Sequence, residues 1–329
     1  MKPFLLALDT PLDCGSQNLR EQIYLANEDR FNAVNLSQPL TTYAVNWDVP
    51  SLQALLDELF PAVRAARRFE YSEYDNSDAF LSEADDERGL GAEYKVIETG
   101  GKSVTIRTKN KGLTVRLDRD LMQPGDEEGA VQRLKTRLVR NELRRGFAAI
   151  LSAAGTIAEK TWGSSSNPDG DVRALLRDGQ DARGMRSDVV VYTGAAFDKR
   201  ADAYEVQNTP AAGVAASKSP ADLKSKFRVD RVLEFDALYT AKSGGAKIQI
   251  AGDDYVITYM APMLQSRSDP SNAKRFYTPF GPGLNGAIPT GSPFFVYREE
   301  HTSFVDVTVA HYSNIVVPTV LGVKAIKIK

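Results

Sequence analysis

Imidazole chemistry in this chain is limited to two histidines, His301 and His311, set ten residues apart. On one unbroken strand that even spacing puts both rings on one face, which suits a weak metal pair, but two histidines are too few for most zinc or general-base designs. Ordinary strand histidines are the simpler reading. Asn167, Asp169, Asp171 and Asp178 bring acidic ligands close together and invite a calcium or magnesium site. An EF-hand loop needs a glutamate at its twelfth place, where this chain has Asp178, and Gly170 is misplaced for the turn. Capping of a following helix by Asp169 or Asp171 explains the cluster without a metal. Thr99-Gly100-Gly101-Lys102-Ser103 ends like a phosphate loop, yet the first glycine of that pattern falls at Val96, and a strand follows it instead of a helix. Gly281-Pro282-Gly283 has glycines without a helix to open. GxSxG and HExxH are missing and GxGxxG is spelled only at 281 to 286, outside any strand-to-helix context, so no motif supports an enzyme, and no catalytic, cofactor-binding or metal residue is assigned.

The elements around these residues carry more information. Ala92 to Thr99 and Ser103 to Lys109 are rich in Val, Ile, Thr and Tyr and flank Gly100, Gly101 and Lys102, a strong signal for a tight hairpin. The second strand is expected to continue past Gly112 through residues 113 to 118. Two strands alone are marginal in water, and an open edge is a template for another chain.

A long amphipathic helix is expected from Asp126 to Glu159. Val131, Leu134, Leu138, Val139, Leu143, Phe147, Ile150, Leu151, Ala154 and Ile157 recur at steps of three and four, with Arg133, Lys135, Arg137, Arg140, Arg144 and Arg145 between them. At ~1.5 Å per residue it spans about 50 Å. Acidic residues interleave with the arginines, so a solvated or salt-bridging face is expected and not a nucleic-acid stripe.

Lys+Arg 41 against Asp+Glu 43 leaves a net charge of -2, so no overall basic field draws the protein onto nucleic acid. Cys14 is the single cysteine, which excludes an internal disulfide and a cysteine-based zinc site and suits a reducing cytoplasm or indifference to redox. At 329 residues and 42% hydrophobic the chain can bury a sizeable core, and no apolar run reaches the ~18 residues of a membrane span.

Residues 1 to 50, punctuated by Pro39 and Pro50, read as an extended arm. Ser51 to Arg68 reads as a helix capped by Ser51, and residues 69 to 91 as an irregular acidic approach to the hairpin. Beyond the loop at 163 to 171 come a short helix at 171 to 183, a buried strand at 188 to 192, a helix at 195 to 204, and a mobile stretch at 205 to 226 with a small helix at 219 to 226. Strands follow at 231 to 235, 247 to 250 and 255 to 260, then a Pro/Gly-rich stretch from 269 to 293, then strands at 294 to 298, 303 to 312 and 320 to 329. Short strands and helices without βαβα alternation indicate an α+β fold.

This order, with the phrases TWGSSSNPDGDVRALLRDG (161 to 179), SDVVVYTGAAFDKRADAYE (187 to 205) and FVDVTVAHYSNIVVPTVLGVKAIKIK (304 to 329), resembles the major capsid proteins of tailed bacteriophages with the Hong Kong 97-like fold. The resemblance implies an N-terminal arm at 1 to 50, a peripheral-domain helix at 51 to 68 and an E-loop hairpin at 69 to 117. A peripheral domain with a spine helix would follow at 118 to 163, an axial domain at 164 to 280, peripheral strands at 281 to 314 and a last axial strand at 315 to 329. It further implies no enzymatic activity and a place in the virion. Copies would assemble in the host cytoplasm as hexamers and pentamers of an icosahedral shell that encloses double-stranded DNA without sequence-specific binding. Partners would be sister copies, with a separate scaffolding protein, a portal and decoration proteins, and no membrane. Gly100, Gly101, Lys102, Arg137, Arg140 and Arg144 are the expected interface residues. Some relatives cross-link through a hairpin lysine; Lys95, Lys102, Lys109 and Lys111 are available, but no such bond is expected on residue type alone. Two alternatives stand beside this reading: an encapsulin-type compartment shell, and a metal-dependent α+β hydrolase using Asp169, Asp171 and Asp178.

Overall fold

A computed structural model describes residues 35–74, 93, 101–242, 244–261, 271–279 and 293–329. In chain order the elements are α1 (Gln38–Asn46), α2 (Leu52–Leu59), β1 (Ala62–Arg64), β2 (Arg68–Glu73), β3 (Lys102–Arg107), β4 (Lys109–Asp118), α3 (Asp126–Ala153), β5 (Ala158–Lys160) and α4 (Pro168–Arg183). There follow β6 (Val189–Thr193), α5 (Gly194–Glu205), α6 (Pro210–Ala216), α7 (Pro220–Phe227), β7 (Arg231–Phe235), β8 (Leu238–Thr240), β9 (Lys247–Gln249), β10 (Tyr255–Tyr259), β11 (Lys274–Thr278), β12 (Phe294–Glu300), β13 (Phe304–Val316) and β14 (Lys324–Ile328). The fold is mixed α+β, as its elements' order suggested. The chain divides into two compact units, and α3 and β13 each pass from one into the other, at Leu138 and at Tyr312.

The smaller unit is built on β13. β12 pairs with it antiparallel from Phe294 opposite His311 to Glu300 opposite Val305, and β4 also pairs with it. Thr114 and Thr308 share a hydroxyl hydrogen bond of 2.8 Å, and Gly112 lies so close to β13 that a Cβ there would meet Ala310 Cβ and the Val309 carbonyl at 3.2 Å. α1 corrects the expectation of an extended arm for the described part of residues 1 to 50; residues 1–34 lie outside the described residues. Pro39 looked like punctuation but occupies the first turn, where its missing N–H costs nothing, and the Ser37 hydroxyl accepts from the Leu40 amide at 3.4 Å. The first half of α3 buries Ala130, Val131, Leu134 and Leu138. Lys135 is buried too, against its expected place on a solvated face. Its ammonium donates to the carbonyls of Ala44, at 2.7 Å, and Trp47, at the end of α1, where backbone acceptors and the helix dipole favour a cation.

In the larger unit the second half of α3 buries Val139, Leu143, Phe147 and Ile150. Phe147 meets Phe60 edge-on at 5.7 Å and Phe235 at 4.6 Å, and Gly146 is small because the Phe60 ring occupies the space a Cβ would need. α3 ends at Ala153 and not at Glu159: Ile157 continues the apolar periodicity, but Gly155 takes a left-handed φ of +66° and the chain turns into β5. The expected helix at 51 to 68 stops at Leu59 and gives way to β1 and β2. Ser51 sits at its start with φ +62° and no side-chain capping bond.

A five-stranded sheet in the order β5-β14-β10-β6-β7 forms the larger unit's other core. β6 is buried at every position, antiparallel to β10 and parallel to β7, as a strand covered on both faces must be. Val172, Leu176, Val190, Tyr192, Leu223, Phe227, Val256 and Ile328 pack together against it. The stretch 205 to 226, expected to be mobile apart from a small helix at 219 to 226, contains α6 as well as that helix, α7; Thr209 caps the first and Ser219 forms a capping box with Asp222 on the second. β8 and β11 are strands that composition concealed, β11 inside the Pro/Gly-rich stretch.

Candidate functional site

The first strand of the expected hairpin, 92 to 99, lies outside the described residues apart from Glu93; the second, β3, belongs to a two-stranded ribbon with another strand. β3 pairs antiparallel with β2, from Arg68 opposite Arg107 to Glu73 opposite Lys102, so residues 68 to 73 are strand and not irregular approach. Gly100 also lies outside the described residues. Alternation explains the pairing: Phe69 and Tyr71 point inward, with Val104 and Ile106 packed beside them on Val63, Ala65, Phe276 and Val316. Phe69 and Phe276 have ring centroids 4.4 Å apart. On the other face Glu70 accepts from the Ser103 and Thr105 hydroxyls at 3.2 and 3.3 Å. The root of the ribbon is therefore anchored in its own unit. Gly101 is exposed; a Cβ on it would come within 3.1 Å of the Tyr74 ring and 3.2 Å of Ser72 Cβ. Lys102 is exposed at the first position of β3.

The arginines of α3 do not act as one group. Arg137 is exposed in the smaller unit. In the larger unit Arg140 is half-buried, and exposed Arg144 lies 5.0 Å from the centre of the Tyr239 ring. Arg145 donates to Glu142 at 2.8 Å, and buried Glu142 also accepts from the Ser313 hydroxyl at 2.8 Å. These last contacts make that part of the face salt-bridging, as acidic residues between arginines implied.

The acidic cluster suspected of metal binding is dispersed among other tasks. Asn167, and neither Asp169 nor Asp171, caps α4, its side chain accepting from the Gly170 amide at 3.0 Å. Asp171 accepts from the Trp162 indole at 2.9 Å. Asp169 is almost fully buried and takes two hydrogen bonds from buried Arg200, at 2.7 and 3.1 Å, and a third from Lys226. Burial pushes its carboxyl up, and the donors outweigh that and hold it below the usual range. Nothing in the sequence marked Asp169 for this role, because Arg200 stands on a different helix 31 residues away.

The two histidines are not on one face of a strand: His301 lies in the turn between β12 and β13, while His311 is buried in β13, 5.1 Å from the Phe294 ring. Ligand atoms of Glu299, His301 and Asp306 come within 4.8 Å of one another. The Arg116 guanidinium answers Asp306 there at 2.9 and 3.0 Å, with its flat face 3.7 Å above the Phe304 ring. Among the described residues no helix is long and apolar enough to cross a membrane.

No protein-family model and no curated protein matches the sequence. Solved structures do match its fold. A phage-related protein from Bordetella bronchiseptica RB50 aligns with a TM-score of 0.65 at 13% identity, over 88% of this chain and 96% of that one. A chain of Microbacterium phage Oxtober96 aligns with a TM-score of 0.51 at 10% identity, over 86% of this chain and 92% of its own. The satellite phage P4 procapsid, solved with its size determination protein, gives a TM-score of 0.47 at 9% identity over 95% and 98%. The chain thus shares the fold of a phage-related protein over nearly the full length of both.

Proposed function

We propose that this chain is the structural major capsid protein of a tailed bacteriophage, assembling as hexamers and pentamers into an icosahedral shell around double-stranded DNA. The observation that carries the reading is the fold shared with the phage-related protein, at a TM-score of 0.65 over 88% and 96% of the two chains. The order of elements supports it: a β2–β3 ribbon, a 28-residue helix, a helix-covered sheet, then strands that return and a closing strand. In the Hong Kong 97-like plan these are the E-loop, the spine helix, the axial domain around β5-β14-β10-β6-β7, the peripheral strands β4, β12 and β13, and the last axial strand β14. Gly100, Gly101, Lys102, Arg137, Arg140 and Arg144 are the proposed contacts with sister copies. Scaffolding, portal and decoration proteins are the proposed further partners.

In a closed symmetric shell each copy meets several neighbours, so each contact need contribute only modestly. A standard interface buries about 1,600 Å² in total, and closure makes many such contacts hard to undo together. The test is size. Light scattering and negative-stain microscopy of the expressed protein should show megadalton shells or ring-shaped capsomers; a small discrete oligomer at every concentration would refute the proposal.

A further inference from the structure

The exposed face of α4 and the end of α7 border an open surface pocket of about 230 Å³ with an unusual lining. Arg173, Arg177 and Gln180 come from α4, Arg186 from the turn after it, and Lys226, Phe227 and Arg228 from the end of α7. That is five cationic side chains and no carboxylate on the cavity wall. Three of the cations are oriented by neighbours behind the wall. Arg173 donates to the Asp169 carbonyl at 3.3 Å, Arg186 to the Phe227 carbonyl at 2.7 Å, and Lys226 to the Asp169 carboxylate. Arg177 and Arg228 have no partner among the described residues. Arg228 also holds a left-handed backbone, φ +55° and ψ +49°, at a helix end where glycine is the usual residue. Strain of this kind tends to collect at functional sites.

We infer that this cavity is a binding site for phosphate-type oxyanions, of the kind presented by a polyphosphate or by the backbone of a nucleic-acid strand. Guanidinium forks match phosphate oxygens two at a time, and several converging on one concavity exceed what a single carboxylate requires. Of the five cations only Lys226 is answered by a carboxylate, Asp169, and the four guanidinium groups repel one another, so an anion that binds between them gains from several sides at once. The protein's net charge of -2 hides the site, because compensating acids lie elsewhere in the chain.

The assay is binding of sodium tripolyphosphate and of a short fluorescein-labelled single-stranded DNA to the full chain, in whatever state it associates, so the result does not depend on shell formation. The double variant Arg177→Gln with Arg228→Asn keeps polar side chains and suits the left-handed position, and neither native side chain supports the fold through a partner. Tripolyphosphate should bind the native chain and bind the double variant at least about tenfold more weakly, the consequence of losing two charge-assisted contacts. A Lys242→Gln with Lys247→Gln control, of equal charge change away from the cavity, should bind as the native chain does. Competition by the DNA at equal phosphate identifies a strand backbone as the source; tripolyphosphate binding without it identifies a free polyphosphate. Equal binding by the native and double-variant chains, reproduction of the effect by sodium chloride at matched ionic strength, or stronger displacement by polyglutamate than by DNA would each overturn the assignment.

Discussion

Asp169→Asn removes the one negative charge that answers a guanidinium buried without access to water. Arg200 is 0% exposed and Asp169 1%, with bonds of 2.7 and 3.1 Å between them. Once the carboxylate charge is gone, Arg200 keeps the Ala215 carbonyl, at 2.9 Å, and a single neutral amide oxygen. Breaking a buried pair from one side costs about 3–5 kcal/mol, since the surviving charge stays desolvated. Asparagine retains one acceptor, so about 3 kcal/mol is expected. At ~2–4 °C per kcal/mol for a domain of this size, the melting temperature should fall by on the order of 10 °C. Replacing both partners, Asp169→Leu with Arg200→Met, should recover most of that loss, because the desolvated charge leaves with its partner. The pH dependence follows from the depressed carboxyl. Its contribution is complete above the ordinary carboxylate value of 3.8 and drains as pH falls through the lower folded value. Differential scanning calorimetry from pH 7 downward should therefore show the native protein and Asp169→Asn far apart at neutral pH and converging below pH 3.8. A gap smaller than about 1 kcal/mol at pH 7, or one that stays constant on acidification, would refute the reasoning.

Four further variants test the packing and the proposed role. Replacing residues 75 to 100 by a short Gly-Ser link should leave the β2–β3 root, and the circular dichroism of the subunit, unchanged while abolishing particles; shells at normal yield would exclude residues 75 to 100 from assembly. Phe147→Ala vacates contacts with Phe60 and Phe235 at 5.7 and 4.6 Å and should cost about 3–5 kcal/mol in a thermal melt. Gly112→Val drives a side chain against Ala310 and the Val309 carbonyl, and should destabilise by about 1–3 kcal/mol, whereas Gly129→Ala, with open space around it, should be neutral or stabilising.

Strong periodicity was legible in the sequence, and cooperation between distant residues was not. α3, β6, α5, β7, β10 and β12 lie where runs of apolar residues with the right period placed them. α3's end was misjudged because Ile157 fits the helical stripe, and only the conformation of Gly155 shows that the stripe has stopped. β2 was hidden by composition: RFEYSE alternates correctly, but its outward residues, Arg68, Glu70 and Ser72, are polar and its neighbours on both sides look like loop. Proline misled at α1 and α6, since a residue that terminates a helix interior is equally at home in its first turn. The Asp169–Arg200 pair and the basic cavity were invisible for a shared reason. Each joins side chains from separate helices, and only Arg173 and Arg177, one turn apart, left any trace in the spacing.

The sheet β5-β14-β10-β6-β7 has two borders, and their character matters for a molecule proposed to meet many copies of itself at high local concentration. β5 is three residues long and exposed throughout, with Glu159 and Lys160 among them, and Lys329 pairs with Glu159 beside it. So brief and so charged a border offers little for a foreign strand to zip onto. Crowded copies are thereby steered away from runaway cross-strand growth, leaving association to the surfaces that can end in a closed object.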